Sequence, residues 1–550
     1  GLGDATEADV VTVSWPDGST EHRTRVRAAQ KLVFDYENAT PSPPAASAAP
    51  PQFAKLSVGG LDTLRHHENP FNDYQTEPLI PYQYSRLGPF IASGDANEDG
   101  RDDLFIGSAY GQAPRLLLQQ LDGSFREQAG PWNTETEREE GGVRFLDADG
   151  DGDLDLYLAR GGNEFFRRPA FLQDQLFVNL GNGNFTPAIL PTITAATGAI
   201  APADYDGDGD LDLFIAGRNV PGEYPMPARS YLLRNDGGQD ANVRYTDVTE
   251  AEASELLEAG MITAATWADL DADGSLELLL AGEWQPVRIF DVLDEGLRDQ
   301  TKAFGLKSGV GWFQSLATAD LDGDGDQDII AGNLGRNYKY HASPEAPFTV
   351  HSGDFDQNGR RDIVLGYHQQ GEHYPLRGRQ CSAEQIPALE IKFRSYESFA
   401  NADLEEVYGT KNLENALSYE ATEFASLVLM NEGAAGFRAV PLPPEAQLSS
   451  VNGILIDDYS GDGHPDVLIA GNLYRAEVET PRNDASIGLL LVNDGKGNLR
   501  EVPVDESGVF LPGDVKSLIA LTRADDQLII AGRNDATLAT LRFTAKSTVK

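Results

Sequence analysis

Cysteine is almost absent: Cys381 is the only one in 550 residues, so no disulfide can form within the chain. Basic side chains are scarce beside acidic ones, 43 Lys and Arg against 87 Asp and Glu, and the formal net charge is −44. That balance predicts high solubility and repulsion from nucleic acid and anionic membrane surfaces, and a salt-rich habitat would favour the same excess. No apolar run reaches the roughly 18 residues of a transmembrane helix, so no membrane insertion is expected. No signal peptide is visible, and the chain begins at Gly1 in what reads as the middle of a domain, which predicts a processed or truncated piece of a longer protein. Gly-rich phosphate loops, a Ser/His/Asp arrangement and zinc-type Cys/His spacing are missing too. What is plentiful is glycine, 56 residues, beside 40% hydrophobic content, which suits a turn-rich globular β-protein.

One nine-residue pattern recurs seven times. The cleanest copies are Asp147-Ala-Asp-Gly-Asp-Gly-Asp-Leu-Asp155, Asp204-Tyr-Asp-Gly-Asp-Gly-Asp-Leu-Asp212 and Asp320-Leu-Asp-Gly-Asp-Gly-Asp-Gln-Asp328; looser copies begin at Asp95, Asp269, Asp354 and Asp458. Carboxylates at positions 1, 3, 5 and 9 with a Gly at 6 meet the needs of a hard cation, because side-chain oxygens converge from alternate residues while the glycine turns the backbone. Without a cation such a cluster repels itself. The repeat therefore predicts seven Ca2+ loops, about five to seven of them filled, and seven divalent ions would bring the charge from −44 to −30.

These are not EF-hands. That loop needs a bidentate Glu at position 12, and here position 12 is Ile106, Leu158, Ile215, Leu280, Ala331, Leu365 and Ile469. Short apolar runs ending in a small residue follow position 9, such as Leu-Phe-Ile-Gly after Asp103, and read as buried strands. A third strand closing in an Asn/Gly turn recurs as well, as in Gln175-Leu-Phe-Val-Asn-Leu-Gly-Asn-Gly-Asn-Phe185. Loop starts lie 52, 57, 65, 51, 34 and 104 residues apart. Most of these intervals fit one four-stranded blade, and radial repetition gives an all-β, seven-bladed β-propeller. The short and long intervals predict one enlarged blade over 320–440, with its own extra loop at Asp354 and a helical insertion at about 382–424. In that insertion Ser382-Ala-Glu-Gln385 reads as a capping box, and Phe393, Tyr396, Phe399 and Leu404 recur at helical spacing. Counting Asp354 as a blade of its own gives an eight-bladed alternative. The last unit, around Leu518–Gly532, keeps its strands and lacks the acidic loop.

Three domain-level segments follow. Residues 1–38 predict three short strands, with the turn Pro16-Asp-Gly18 after Val10–Trp15, then Thr24–Arg27 and Lys31–Tyr36. Residues 39–52 form a Pro/Ala-rich linker, and 53–550 the propeller.

The repeats, from Phe90-Ile-Ala-Ser-Gly-Asp95 through Asp103-Leu-Phe-Ile-Gly107 and at each later loop, resemble the FG-GAP (VCBS-type) repeats of integrin α-subunit propellers and many bacterial surface proteins. Asp9-Val-Val-Thr-Val-Ser-Trp-Pro-Asp-Gly18 resembles the tail of an ASPIC/UnbV domain, and the pair is similar to bacterial proteins of the cartilage acidic protein group. The resemblance implies Ca2+ in the blade loops and an extracellular or cell-surface interaction role. It implies these ligands: Asp95, Asn97, Asp99 and Asp103 with the Arg101 carbonyl; Asp147, Asp149, Asp151 and Asp155 with Asp153; Asp204, Asp206, Asp208 and Asp212 with Asp210; Asp269, Asp271, Asp273 and Glu277 with Ser275; Asp320, Asp322, Asp324 and Asp328 with Asp326; Asp354, Asp356, Asn358 and Asp362 with Arg360; and Asp458, Ser460, Asp462 and Asp466 with His464. Glu277 is longer than its counterparts and reshapes its site, while Ser460 and Pro465 make the last loop the weakest.

Other clusters carry less. His66-His67-Glu68-Asn69 with Asp73 lacks a helical ligand spacing and reads as a polar segment capping one propeller face. Arg377 and Arg379 suit either a bidentate anion clamp or pairing with local carboxylates, and the second is favoured. Cys381 reads as an unreactive thiol. Trp132, Phe165, Phe166, Tyr224, Trp284, Trp312, Tyr338 and Tyr340 could stack on sugar rings, though most read as blade packing. No catalytic residue emerges. The favoured function is an extracellular Ca2+-binding module that holds a protein or glycan ligand on one face; the alternative is a polysaccharide lyase or hydrolase on the same scaffold.

Overall fold

The computed structural model describes residues 5–15, 19–40, 51–293, 296–523 and 526–544. Two compact units result, Gly1–Pro51 and Gln52–Lys550. In the first, Glu7–Ser14 pairs antiparallel with Thr20–Arg27. The third strand expected at Lys31–Tyr36 does not form; that run is held instead by Arg23, whose guanidinium covers the Phe34 ring at 4.6 Å. A side-chain clamp thus replaces a ladder there. The turn Pro16-Asp-Gly18 and most of the 39–52 linker lie outside the described residues.

The second unit is a succession of antiparallel sheets. The first sheet is a simple meander of Ile91–Gly94, Asp103–Ile106, Arg115–Gln119 and Phe125–Gln128. Further sheets begin with Glu140–Leu146, Thr197–Ala203, Met261–Ala268, Ser315–Ala319, Gly453–Asp457 and Val515–Thr522. Each leading strand packs against the leading strand of the next sheet, and Val515–Thr522 packs back against Ile91–Gly94. The alternating faces of these strands explain the arrangement: both faces are apolar, so each sheet needs a partner on either side. Seven apolar seams meet that need. Phe105 and Leu116 meet Leu156 and Phe177 in one seam, and Leu521 and Ile530 meet Leu104 and Leu117 in the seam that joins the last sheet to the first. The architecture is all-β and propeller-like. Its last sheet is completed by the first strand of the unit: Phe53–Lys55 pairs with Ala539–Phe543, so residues nearly the whole chain apart share one ladder.

The enlarged fifth sheet differs from expectation. Its second strand, Asp328–Gly332, pairs with Leu427–Asn431, and between them lies a complete further sheet rather than a loop and helices alone. That sheet runs Glu372–Pro375, Asp362–Gln369, Phe348–Gly353, Leu417–Ala421, with the Asp354 loop at one end. Five short helices, from Arg379–Gln385 to Thr410–Glu414, pack on it through Leu389, Phe399, Leu404 and Val407. Residues 417–421, expected in the helical insertion, are strand. Ser382 lies inside its helix and caps nothing; the working caps are Ser395 and Asp403, each accepting a backbone N–H three residues on. Tyr396 faces outward at 64% exposure.

Candidate metal loops and a candidate ligand cavity

Each acidic loop joins the first and second strands of its sheet, so the six loops of the successive sheets lie at the same end of them, while the Asp354 loop of the inserted sheet lies beside Gln75, Phe166 and Gly222 at the other end. The loop at Asp147 shows how the sequence folds. Gly150 and Gly152 donate their N–H groups to the two Asp147 oxygens at 2.8 and 3.1 Å, and Asp151 and Asp153 donate to Asp149 and Asp151. Gly152 has φ 97°, where a side chain would be strained. These bonds turn the remaining oxygen lone pairs inward.

Position 9 does more than ligate. Asp155 is fully buried, and its carboxylate accepts the Ala148 N–H at 2.8 Å and the Asn179 N–H at 2.7 Å. The same pair of bonds recurs at Asp212, Asp328 and, from its own neighbours, Asp103. Asn179 then reaches across a seam: its Nδ2 donates to the Ala96 carbonyl inside the preceding loop at 2.9 Å. Asn235 does so to Ala148, Asn431 to Leu270 and Asn493 to Leu321, at 2.7 to 2.8 Å. One asparagine thus ties two neighbouring sheets and an acidic loop together. Sequence reasoning took these asparagines as turn formers; the signal that could have found the latch is their fixed place at the end of the third strand.

Five loops bring three carboxylates within 4.8 Å of one another: Asp147, Asp149 and Asp155; Asp204, Asp206 and Asp212; Asp320, Asp322 and Asp328; Asp354, Asp356 and Asp362; and Asp269, Asp271 and Asp273. In the last group positions 1, 3 and 5 gather instead of 1, 3 and 9; Glu277 is not among them, although like its counterparts it accepts a loop N–H, that of Leu270 at 2.7 Å. Asp151, Asp208 and Asp324 at position 5 flank their groups without joining them, and Asn358 at the same position accepts the Arg360 N–H through its Oδ1 at 2.8 Å. In the remaining two loops no three acids meet among the described residues. The Arg101 guanidinium pairs with Asp99 in the first; in the last, Ser460 donates its N–H to Asp466 at 2.6 Å, while Asp458 accepts from Gly461 and Gly463, and Asp462 from His464.

These donor sets fit a hard divalent cation. They are oxygen-only, clustered, and partly orphaned: Asp269 Oδ1 is buried and has no hydrogen-bond partner among the described residues. Burial first, and then the neighbouring carboxylates, push Asp103, Asp155, Asp212 and Asp362 up to about 7 and Asp328 to about 6, against the hydrogen bonds that pull the other way. Several of these Asp clusters could therefore bind metal ions.

The opposite end of the sheets is covered. Residues 79–87 lie under the inserted sheet in an aromatic cluster holding Tyr82, Tyr84, Tyr224, Trp284, Trp312, Tyr338 and Tyr340, while Trp132 and Phe165 are buried elsewhere and Phe166 is half-buried. Glu283 anchors the cluster, accepting from Tyr82, Tyr84 and Arg218. His66 is buried and neutral, its pKa lowered to about 4 chiefly by burial. Glu68 accepts from Asn534, Asn69 donates to Glu164 at 2.9 Å, and buried Asp73 accepts from Ser85 and Asn163, while His67 is exposed. Arg377 pairs with Glu477, and Arg379 donates to the Phe393 carbonyl and sits over the Tyr396 ring. Cys381 donates to Glu479 at 3.1 Å, and burial and that carboxylate push the thiol up to about 11.

A cavity of about 1010 Å³ opens beside Trp284 and Gln285. It lies at the end of the fourth sheet remote from its acidic loop, and Tyr419 of the inserted sheet forms part of its wall. Gln285 was not foreseen, and no pattern in the sequence marks it.

An all-β, propeller-like protein with repeated acidic loops is thereby defined. Residues 95–158, 161–215 and 269–331 match the model of the FG-GAP-like repeat, and residues 1–41 match that of ASPIC and UnbV. The chain therefore carries FG-GAP-like repeats together with an ASPIC and UnbV segment. No curated protein matches it. Among solved structures, it is similar to the V. cholerae biofilm matrix protein Bap1, at 10% identity over 89% of this chain and 92% of that one, with a TM-score of 0.36. It is also similar to an Agrocybe aegerita lectin that specifically recognises non-reducing terminal N-acetylglucosamine, at 18% identity over 76% and 89%, with a TM-score of 0.30. Likeness this slight carries no argument about ligand or shape.

Proposed function

We propose that the chain is an extracellular, calcium-stapled binding module: a seven-bladed propeller whose acidic loops hold Ca2+ and whose opposite end presents a protein or glycan ligand site. The observation that carries the calcium half is the convergence of three carboxylates in five separate loops. Asp147, Asp149 and Asp155, with the carbonyl of Asp153, hold one ion, and the equivalent residues hold the others; bound there, the cation supplies the positive charge that lets buried carboxylates stay ionised. Seven blades rather than eight are favoured because the Asp354 sheet stands outside the cycle of leading strands. Weak calcium sites fill at the millimolar levels found outside cells, and that supports an exported protein. Ionised loops latched to neighbouring sheets by Asn179, Asn235, Asn431 and Asn493 make a rigid frame, which suits presentation of a ligand rather than conformational change.

Elemental analysis of protein dialysed against millimolar Ca2+ is the test. About five bound ions per chain is the expected result. Well-folded protein that retains less than one would overturn the calcium assignment.

A further inference from the structure

We infer that the cavity beside Gln285 is the seat of the ligand, and that its occupant is an acidic sugar unit of a polysaccharide. The inference rests on the binding-module reading and adds a place and a chemistry to it. Gln285 is only 7% exposed, yet neither Oε1 nor Nε2 has a hydrogen-bond partner among the described residues. A buried amide left unsatisfied is costly, so its place in the wall of an open cavity calls for a partner that both donates and accepts. Adjacent hydroxyls on a sugar ring do both.

The backbone is distorted to put the amide there. Trp284 has φ 60°, a left-handed conformation that is strained for a bulky residue. It coincides with a register shift between Glu283 and Gln285 in the pairing with Gly311–Trp312. Bulges of this kind re-aim side chains. Two glycines make room for the result: a Cβ at Gly260 would lie 2.7 Å from Gln285 Oε1, and one at Gly282 would collide with Nε2.

The rim supplies the charge preference. Lys302 and Lys307 are exposed, line the cavity, and have no ion-pair partner among the described residues. Arg288 is held by Asp299 at 2.8 Å, and Glu283 is occupied by Arg218, so the unpaired charges of the wall are these two lysines and exposed Glu258. In a chain of net charge −44, a wall with free cations in excess selects an anion. Met226, Pro286 and Tyr419 give the apolar surface on which the hydrophobic face of a sugar ring can lie.

The test uses the full chain in calcium buffer, measured by calorimetry against a polyuronate, a sulfated polysaccharide, a neutral glucan and poly-glutamate. Saturable binding of an acidic polysaccharide is expected, weakened at least tenfold by Gln285→Leu and by Lys302→Glu with Lys307→Glu, with melting temperatures unchanged. The lysine pair lies on the exposed rim, so it remains informative if Gln285→Leu misfolds. Acidic-glycan binding that neither variant disturbs would overturn the site and leave the module reading standing. Equal binding of poly-glutamate, or preference for the neutral glucan, would overturn the ligand class. No binding to any of the four by calcium-loaded, folded protein would overturn the inference and count against a glycan module, leaving a protein partner.

Discussion

The turn after Val515–Thr522 and the loop after Glu140–Leu146 occupy the same place in two sheets of the second unit, yet they handle charge in opposite ways. At Asp147 three carboxylates gather, and no Lys or Arg pairs with them among the described residues. In the seventh sheet Arg523 grips Asp526 through two bonds of 2.7 Å, so the chain supplies its own counter-charge. The first loop is intermediate, with Arg101 on Asp99 and no gathered trio. The difference teaches that the strand–turn–strand geometry does not itself require metal. What invites a metal is a turn filled with aspartates, and on the proposed reading each such turn would make the stability of its seam depend on calcium in the medium.

The strongest way to break this comparison is to remove calcium. A site held at a hundredfold over its Kd contributes about 2.7 kcal/mol, and five sites share the load. Scanning calorimetry with excess EGTA is expected to lower Tm by about 10 °C or more. A Tm that stays within a degree would show that the gathered carboxylates are neutralised by something other than a divalent ion.

A smaller effect is expected from the latch. Asn235→Ala removes the bond to the Ala148 carbonyl and leaves that group buried between two sheets, a loss of about 1–3 kcal/mol. Because the latch ties one sheet to the metal loop of the previous one, the same substitution should also weaken calcium binding at Asp147, read by titration of the protein with Ca2+. Loss of stability with unchanged calcium affinity would confine Asn235 to packing.

The comparison sharpens further with one variant in each turn. Asp147→Asn is expected to lower Tm in calcium and to change nothing once EGTA is present. Arg523→Gln is expected to cost about 1 kcal/mol or less, since partly exposed ion pairs are weak, and to cost the same with and without EGTA. A calcium-dependent effect of Arg523→Gln would mean that the seventh turn is coupled to its metal-bearing neighbours.

How much of this was legible beforehand follows from where the information lies. The acidic loops and the strands on either side were legible because both are periodic: Asp147 to Asp155 fixes a turn, and Leu156-Tyr-Leu-Ala159 after it can only be buried strand. The extra sheet in the fifth unit was not. Its strands Phe348–Gly353 and Leu417–Ala421 are short runs of mixed apolar and polar residues, and nothing local says that they pair with each other across the helices rather than with Asp328–Gly332. Ser382 misled because a capping pattern is a local signal and the chain had already entered a helix at Arg379. Gln285 was invisible for a different reason. An unpaired amide is a property of its surroundings, and those include Gly260 and Tyr419, far from it in sequence.

A third way of carrying acidity appears on the covered end, and it gives the smallest expected effect. Glu68, Glu139 and Glu164 are buried together, and each keeps one oxygen without a hydrogen-bond partner among the described residues. They do not form a gathered trio like those of the loops. Burial, reinforced by the neighbouring carboxylates and opposed at Glu68 by Asn534 and Arg86, raises Glu68 to about 8 and Glu164 to about 7, and Glu139 well above its usual value. Here protons take the part that arginine takes in the seventh sheet and that calcium is proposed to take in the loops. The sign follows from linkage. These groups hold protons in the folded state that the unfolded chain releases near 4.5, so their stabilising contribution is complete below that value. It is lost as pH rises through 7 and 8. Buried His66, lowered to about 4, works the other way and costs stability only as pH falls below its ordinary 6.5. Opening of the segment carrying Glu68 without unfolding of the sheets would cap the cost. Hydrogen exchange, corrected for its intrinsic pH dependence, should therefore show residues 66–77 opening more readily at pH about 8.5 than at about 5.5, while global Tm shifts by only ~1–2 °C. Glu68→Gln should flatten that dependence; an unchanged profile would mean that Glu68 stays ionised and is neutralised by Arg86.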